Sequence, residues 1–134
     1  MTRMLFLNLP VTDVAKTRAF FGGIGFTFNE QFSDDETASM VLSDQAIVMF
    51  LSHAKFQGFL ASGFEAATGQ IEVLAAVSAE SRDEVDRVCD AALASGGTSW
   101  REPEDHGYMY GRSFRDPDGH VWEVVWMDPS AIEG

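Results

Sequence analysis

Apolar and polar positions along the chain fall into one pattern written twice. Residues 4–9, Met-Leu-Phe-Leu-Asn-Leu, read as a strand, and Thr12 or Asp13 can cap a helix that runs to the Gly22-Gly23 pair. Val14, Phe21 and Ile24 mark the inner side of that helix. Strands are predicted next at about 26–32, 37–43 and 46–52, the last two joined at Ser43-Asp44. A second pass opens near residue 70 with a strand-like run from Ile71 to Ser78. Ser81-Arg82-Asp83-Glu84 has the form of a capping box, and Val85, Val88, Cys89, Ala92 and Leu93 then recur at helical spacing. Gly96-Gly97 stops this helix as Gly22-Gly23 stopped the first. Strands follow at about 98–102, 108–115 and 120–127, the last two joined by Asp116-Pro117-Asp118-Gly119. Each pass is β-α-β-β-β, and the segment 53–69 between them reads as a loop or short helix.

Each unit lays one helix on one sheet face and leaves the other face free. Two such units could curl their free faces around a common cavity. The alternative is an α+β domain whose second face is covered by another chain.

Composition narrows the choice of partner. The 134 residues fit one domain, and 46% hydrophobic content is enough for a core without disulfides or metals. Cys89 is the only cysteine, so no internal disulfide exists; it belongs to the apolar stripe of the second helix and fits a reducing compartment. The apolar run near the amino terminus is too short for a signal peptide, and no run is long enough for a membrane span, so a cytoplasmic location is expected. A net charge of −12, with 21 acidic and 9 basic residues, disfavours nucleic acid and anionic membranes. It does not exclude an anionic small molecule, because a local arginine can still bind one.

The segment Gly111-Arg112-Ser113-Phe114-Arg115-Asp116-Pro117-Asp118-Gly119-His120-Val121-Trp122-Glu123-Val124 resembles the vicinal oxygen chelate superfamily, which includes glyoxalase I, extradiol dioxygenases and bleomycin-resistance proteins. Asn8-Leu9-Pro10-Val11-Thr12-Asp13-Val14 and the later Phe20-Phe21-Gly22-Gly23-Ile24-Gly25-Phe26 resemble the opening of its first unit. The likeness covers essentially the whole chain. It implies an α+β fold of two β-α-β-β-β units, about 3–52 and 70–127, whose curved mixed sheets surround a cavity with one helix outside each. It also implies a homodimer. It does not fix the reaction, because the scaffold hosts lyases, isomerases, dioxygenases and metal-free binders.

Metal-using members place ligands at positions that align here with Phe6, Phe50, Glu72 and Glu123. Two phenylalanines cannot ligate, and two carboxylates alone suit Zn²⁺ poorly, although Mg²⁺, Mn²⁺ or Ni²⁺ with water could sit there. Asn8 shares the face of Phe6 and takes the ligand position if the alignment is two residues off. The reading adopted is a protein without a tightly bound metal.

Strand parity puts Glu123 with Val121 and Val125 on the cavity face, and Trp122, Val124 and Trp126 under the helix. Glu72, in an otherwise apolar strand, would face it as acid–base partner; the alternative is two satisfied structural carboxylates. Tyr108, Tyr110 and Arg112 alternate on one face and are placed in the cavity as substrate contacts, because on the helix side Arg112 would need a buried partner. Phe6 and Phe50 supply apolar cavity surface. Phe56 and Phe59 read either as a lid or as ordinary packing. His120 falls on the face opposite Glu123, and His53 and His106 lie in loops. Two function classes emerge. One is a glyoxalase-like lyase or isomerase moving a proton next to a carbonyl through Glu72 and Glu123. The other is a metal-free protein that sequesters a small molecule, as bleomycin-resistance proteins do.

Overall fold

The computed structural model describes residues 2–131 and divides into two compact units, Met1–Gln70 and Ile71–Gly134. The boundary falls where the second pass of the pattern begins.

In the first unit, β1 (Leu5–Val11) leads to α1 (Val14–Ile24), followed by β2 (Thr27–Phe28), β3 (Thr37–Ser43) and β4 (Ala46–Ser52). The sheet order is β1-β4-β3-β2, with β1 parallel to β4 and the other pairs antiparallel. Pro10 fits within β1 because that strand is at the sheet edge, where a missing N–H interrupts no central ladder. Asp13 caps α1 by accepting from the Lys16 amide, and Gly25 ends it in the left-handed region at φ 117°. The strand predicted over 26–32 shortens to two residues. The Asn29 side chain accepts from the Gln31 amide and starts a 3-10 turn, Glu30–Phe32, in place of a ladder.

Val14, Thr17, Phe20, Phe21 and Ile24 form the buried side of α1. Phe21 stacks on Phe50 at 5.1 Å between ring centroids, and Phe20 meets Phe21 edge-on at 4.9 Å. Phe50, expected in the cavity, therefore belongs to the helix-side core, and none of its surface is accessible. The register explains why. Phe50 lies opposite Leu9 and Ala38 on one face, whereas Met49 lies opposite Asn8 and Ser39 on the other.

The second unit comprises β5 (Leu74–Ala79), α3 (Arg82–Ala94), β6 (Thr98–Ser99), β7 (Glu104–Asp105), β8 (Met109–Arg115) and β9 (Val121–Met127); the intervening α2 (His53–Gly58) belongs to the first unit. Its sheet order is β5-β9-β8-β6, with β7 also on β8. Ser81 caps α3 by accepting from the Glu84 amide, and Cys89 is buried with Val85, Val88 and Ala92, as the stripe predicts. Leu93, on the margin of that stripe, is exposed.

Three of the expected cavity contacts are not on the free face. Tyr110 lies opposite Trp126 and Arg112 opposite Val124, on the side that carries α3. There the Tyr110 hydroxyl donates to Asp86 at 2.7 Å, and the Arg112 guanidinium pairs with Asp86 at 2.9 Å and Asp90 at 3.0 Å. Asp86 and Asp90 stand four apart on α3, hence on one helix face, and supply the partner that a covered arginine requires. Tyr108, of the same parity but preceding β8, is exposed and stacks on His106 at 6.2 Å.

Two expectations follow. Phe50→Ala should cost about 3–5 kcal/mol of stability by opening a core cavity, whereas exposed Phe6→Ala should change it by less than about 0.5 kcal/mol. Urea midpoints of the two variants check this, and equal losses would contradict the assigned faces. The Tyr110 hydroxyl and then Arg112 hold Asp86 below the usual carboxylate range. A depressed folded-state pKa adds stability above the ordinary carboxylate value, and that stability is lost as pH falls through the depressed one. Urea midpoints should therefore fall from about pH 7 to about pH 3 less steeply in Asp86→Asn than in the wild type. An unchanged slope would contradict the assigned network.

Candidate functional site

The free face of the second sheet carries a pocket lined by charged side chains. Asp116 turns the chain from β8 into β9, its carboxylate accepting from the amides of Asp118 and His120 and from the Trp122 indole. The resulting register sets Glu123 opposite Ser113 and Ala76, between Val121 and Val125 along its strand, while Trp122 and Val124 are buried under α3. Glu123 is half-buried and lines a pocket of about 150 Å³ with Ser113, Glu102, Glu104 and Arg101. Met109, Gly111 and Val125 supply apolar floor, and Arg112 is also among the lining residues. The volume is roughly that of a cavity known to hold benzene.

Charge in the pocket is unbalanced. Three carboxylates face Arg101, whose guanidinium is already paired with Glu104 at 2.6 Å. Arg112 is tied to Asp86 and Asp90 across the sheet. The Arg101 amide donates to the Ser113 hydroxyl at 3.1 Å, fastening the pocket's side to its floor.

Glu72 is not part of this arrangement. The strand begins at Leu74, so Glu72 precedes it, outside the ladder and exposed. In the first unit, Phe6 and Asn8 are exposed on the free side of β1, with Phe6 opposite Ile47 and Asn8 opposite Met49. His120 accompanies the turn, and His53 begins α2. Sequence reasoning missed Arg101, Glu102 and Glu104: the strand expected over 98–102 shortens to Thr98–Ser99, and Glu104 falls in β7, which was not expected. The available signal was Ser113, whose parity opposite Glu123 points to the same face.

The internal repeat identifies equivalent positions directly. Phe6 stands seven residues before the Asp13 cap, and Leu74 seven before the Ser81 cap. Phe6 is opposite Ile47 and Leu74 is opposite Val121, so the next free-face residues, Met49 and Glu123, also correspond. The repeat-related set is thus Phe6, Met49, Leu74 and Glu123, in place of Phe6, Phe50, Glu72 and Glu123. One oxygen donor with three apolar residues does not fit a resident divalent metal. Among the described residues, no three His, Cys, Asp or Glu side chains are grouped to hold one.

Solved structures share the architecture. A hypothetical protein from S. aureus is 25% identical with a TM-score of 0.78, over 94% of each chain. A glyoxalase/bleomycin resistance protein/dioxygenase family enzyme from Burkholderia phytofirmans is 20% identical, with a TM-score of 0.80, over 94% of this chain and 99% of that one. A lactoylglutathione lyase from Agrobacterium tumefaciens is 15% identical, with a TM-score of 0.70, over 99% and 98%. No curated protein matches the chain. The sequence model of one family matches residues 3–124. With its β-α-β-β-β pattern written twice, the second copy carrying the extra two-residue β7, and with the Asp116–Gly119 turn feeding Glu123, this chain belongs to the Glyoxalase/Bleomycin resistance protein/Dioxygenase superfamily.

Proposed function

We propose that this chain binds a small organic molecule on the free face of its second sheet, with Glu123 as the anchoring carboxylate and without a resident metal. The observation that carries the reading is Glu123 itself. It is a half-buried carboxylate in a pocket with Ser113, Glu102 and Glu104, while its repeat-related positions are apolar. The excess of carboxylates selects a ligand with a protonated amine or amidine, and Met109 and Val125 offer surface to an apolar or aromatic body. This is the sequestering class of function rather than turnover. Proton transfer next to a carbonyl remains a second reading, supported by a carboxylate base beside the Arg101 cation. It lacks the expected second carboxylate, because Glu72 stands outside the strand.

Benzylamine should bind with measurable heat in calorimetry, phenylacetate should not, and Glu123→Gln should weaken benzylamine by about tenfold or more. No binding, or preference for the anion, would overturn the cationic-ligand reading. Parallel assays with hemithioacetals and 2-oxo compounds distinguish the readings. Turnover abolished by Glu123→Gln would favour the enzyme, whereas binding without turnover would favour sequestration.

Elemental analysis of protein purified without chelator should find divalent metal far below one equivalent per chain, because among the described residues no three donors are grouped to retain it. One equivalent of nickel, zinc or manganese, lost in Glu123→Ala, would overturn the metal-free reading.

A further inference from the structure

We infer that Arg82, at the start of α3, is a positioning residue that acts through the sheet to hold Glu104 at the pocket. The inference rests on the ligand site proposed above. Arg82 does not line the pocket; its guanidinium lies on the helix side of the second sheet. There it donates Nη1 to Asp105 Oδ2 at 2.8 Å and Nη2 to Asp105 Oδ1 at 2.9 Å, and Nη2 also donates to the Gly107 carbonyl at 2.9 Å. Its Cζ is 5.2 Å from the ring centroids of both Tyr110 and Trp126, so the two aromatics limit where the fork can point.

What the fork holds is β7, only two residues long. Glu104 lies opposite Gly111 and Asp105 opposite Tyr110. Gly111 belongs to the pocket face and Tyr110 to the helix face, so adjacent residues of β7 project to opposite sides of the sheet. Two residues of antiparallel pairing fix a strand weakly, and Pro103 removes a donor just before it. The Arg82–Asp105 fork adds two charge-assisted bonds with defined geometry at that point. The Asp105 carboxylate also accepts from the Gly107 amide at 3.0 Å, closing the turn that returns to β8. Asp105 on one face is thereby clamped, and Glu104 on the other is presented to the pocket, where it meets Arg101. The Arg101–Glu104 pair is a single exposed bond, whereas the Arg82–Asp105 pair, though also partly exposed, is bidentate and so defines geometry.

A double-mutant cycle in the full chain, with benzylamine as the probe, tests this link. Glu104→Gln and Arg82→Ala should each weaken binding by a similar factor, about threefold to tenfold, and the combined variant should be no weaker than either alone. Arg82→Lys, which keeps charge without the fork, should resemble Arg82→Ala. Additive losses, or full affinity in Arg82→Ala, would overturn the inference. A second arm needs no ligand. Amide exchange at Asp105, His106 and Gly107 should quicken in Arg82→Ala and in Asp105→Asn, while Val85 to Ala92 on α3 keep their protection. Unchanged exchange at residues 105–107 would overturn the positioning role even if benzylamine binds. If the wild type ignores benzylamine, the ligand reading fails and the exchange arm alone decides whether Arg82 holds β7.

Discussion

The buried carboxylate of Asp116 governs which side of the second sheet each later residue occupies. Only 5% of Asp116 is accessible, yet its oxygens accept from the amides of Asp118 and His120 at 2.9 and 3.0 Å and from the Trp122 indole at 3.1 Å. Its own amide donates to the His120 carbonyl, and the Gly119 amide donates back to Asp116. Gly119 takes a φ of 86°, which glycine adopts without steric cost, and a Cβ there would come within 2.6 Å of the Arg115 guanidinium. Because side chains alternate with a period of two, a slip of one residue at this turn would exchange the faces of Trp122 and Glu123. The indole bond opposes that slip, since Trp122 can reach Asp116 only when it lies beneath α3. Burial pushes the Asp116 carboxyl upward, so the turn sacrifices some stability near neutral pH to hold this register.

The two units solve the same packing problem with different chemistry. Beneath α1, the ring stack of Phe21 and Phe50 fills the interface with apolar surface. Beneath α3, Arg112 occupies part of the sheet and draws in Asp86, Asp90 and the Tyr110 hydroxyl. Such a network stabilises only while every member has its partner. It also keeps the Arg112 charge directed toward the helix rather than toward Glu123. The acidity of the pocket is therefore partly a consequence of how the helix side is packed.

The order of elements was legible because each helix carries its own punctuation. Asp13 and Ser81 cap as expected and Gly96 takes positive φ just past α3, whereas α1 runs through the expected Gly22-Gly23 stop and ends only at Gly25, where the left-handed turn is made. Glu123 was legible too, through the alternation that follows Gly119. The face of Arg112 was not, because an arginine was assigned to the cavity by discomfort at burying it, while Asp86 and Asp90 stand outside the apolar stripe by which the helix was recognised. Their spacing of four, flanking Cys89 of the apolar stripe, was the signal that partners stood ready. Phe50 and Glu72 failed for another reason. Runs such as Ala46 to Leu51 and Ile71 to Val77 are apolar on both faces or nearly so, and parity cannot be read where alternation is absent. Counting back seven residues from each cap would have moved the second-unit position from Glu72 to Leu74.

That corrected repeat shapes the chemistry open to this scaffold. With Phe6 and Met49 in the first unit and Leu74 in the second at the repeat-related positions, each free face gains apolar surface there. Glu123 must then act as a bare carboxylate, and its value to a ligand is greatest where water is partly excluded and a positive charge or hydrogen-bond donor is offered. Glu102 and Glu104 reinforce that preference, since like charges close to Glu123 raise the benefit of admitting a cation. An anionic ligand would have to displace the Arg101–Glu104 pair and still meet two carboxylates. On the metal-free reading proposed above, these apolar positions favour recognition of an amine-bearing molecule over activation of a carbonyl.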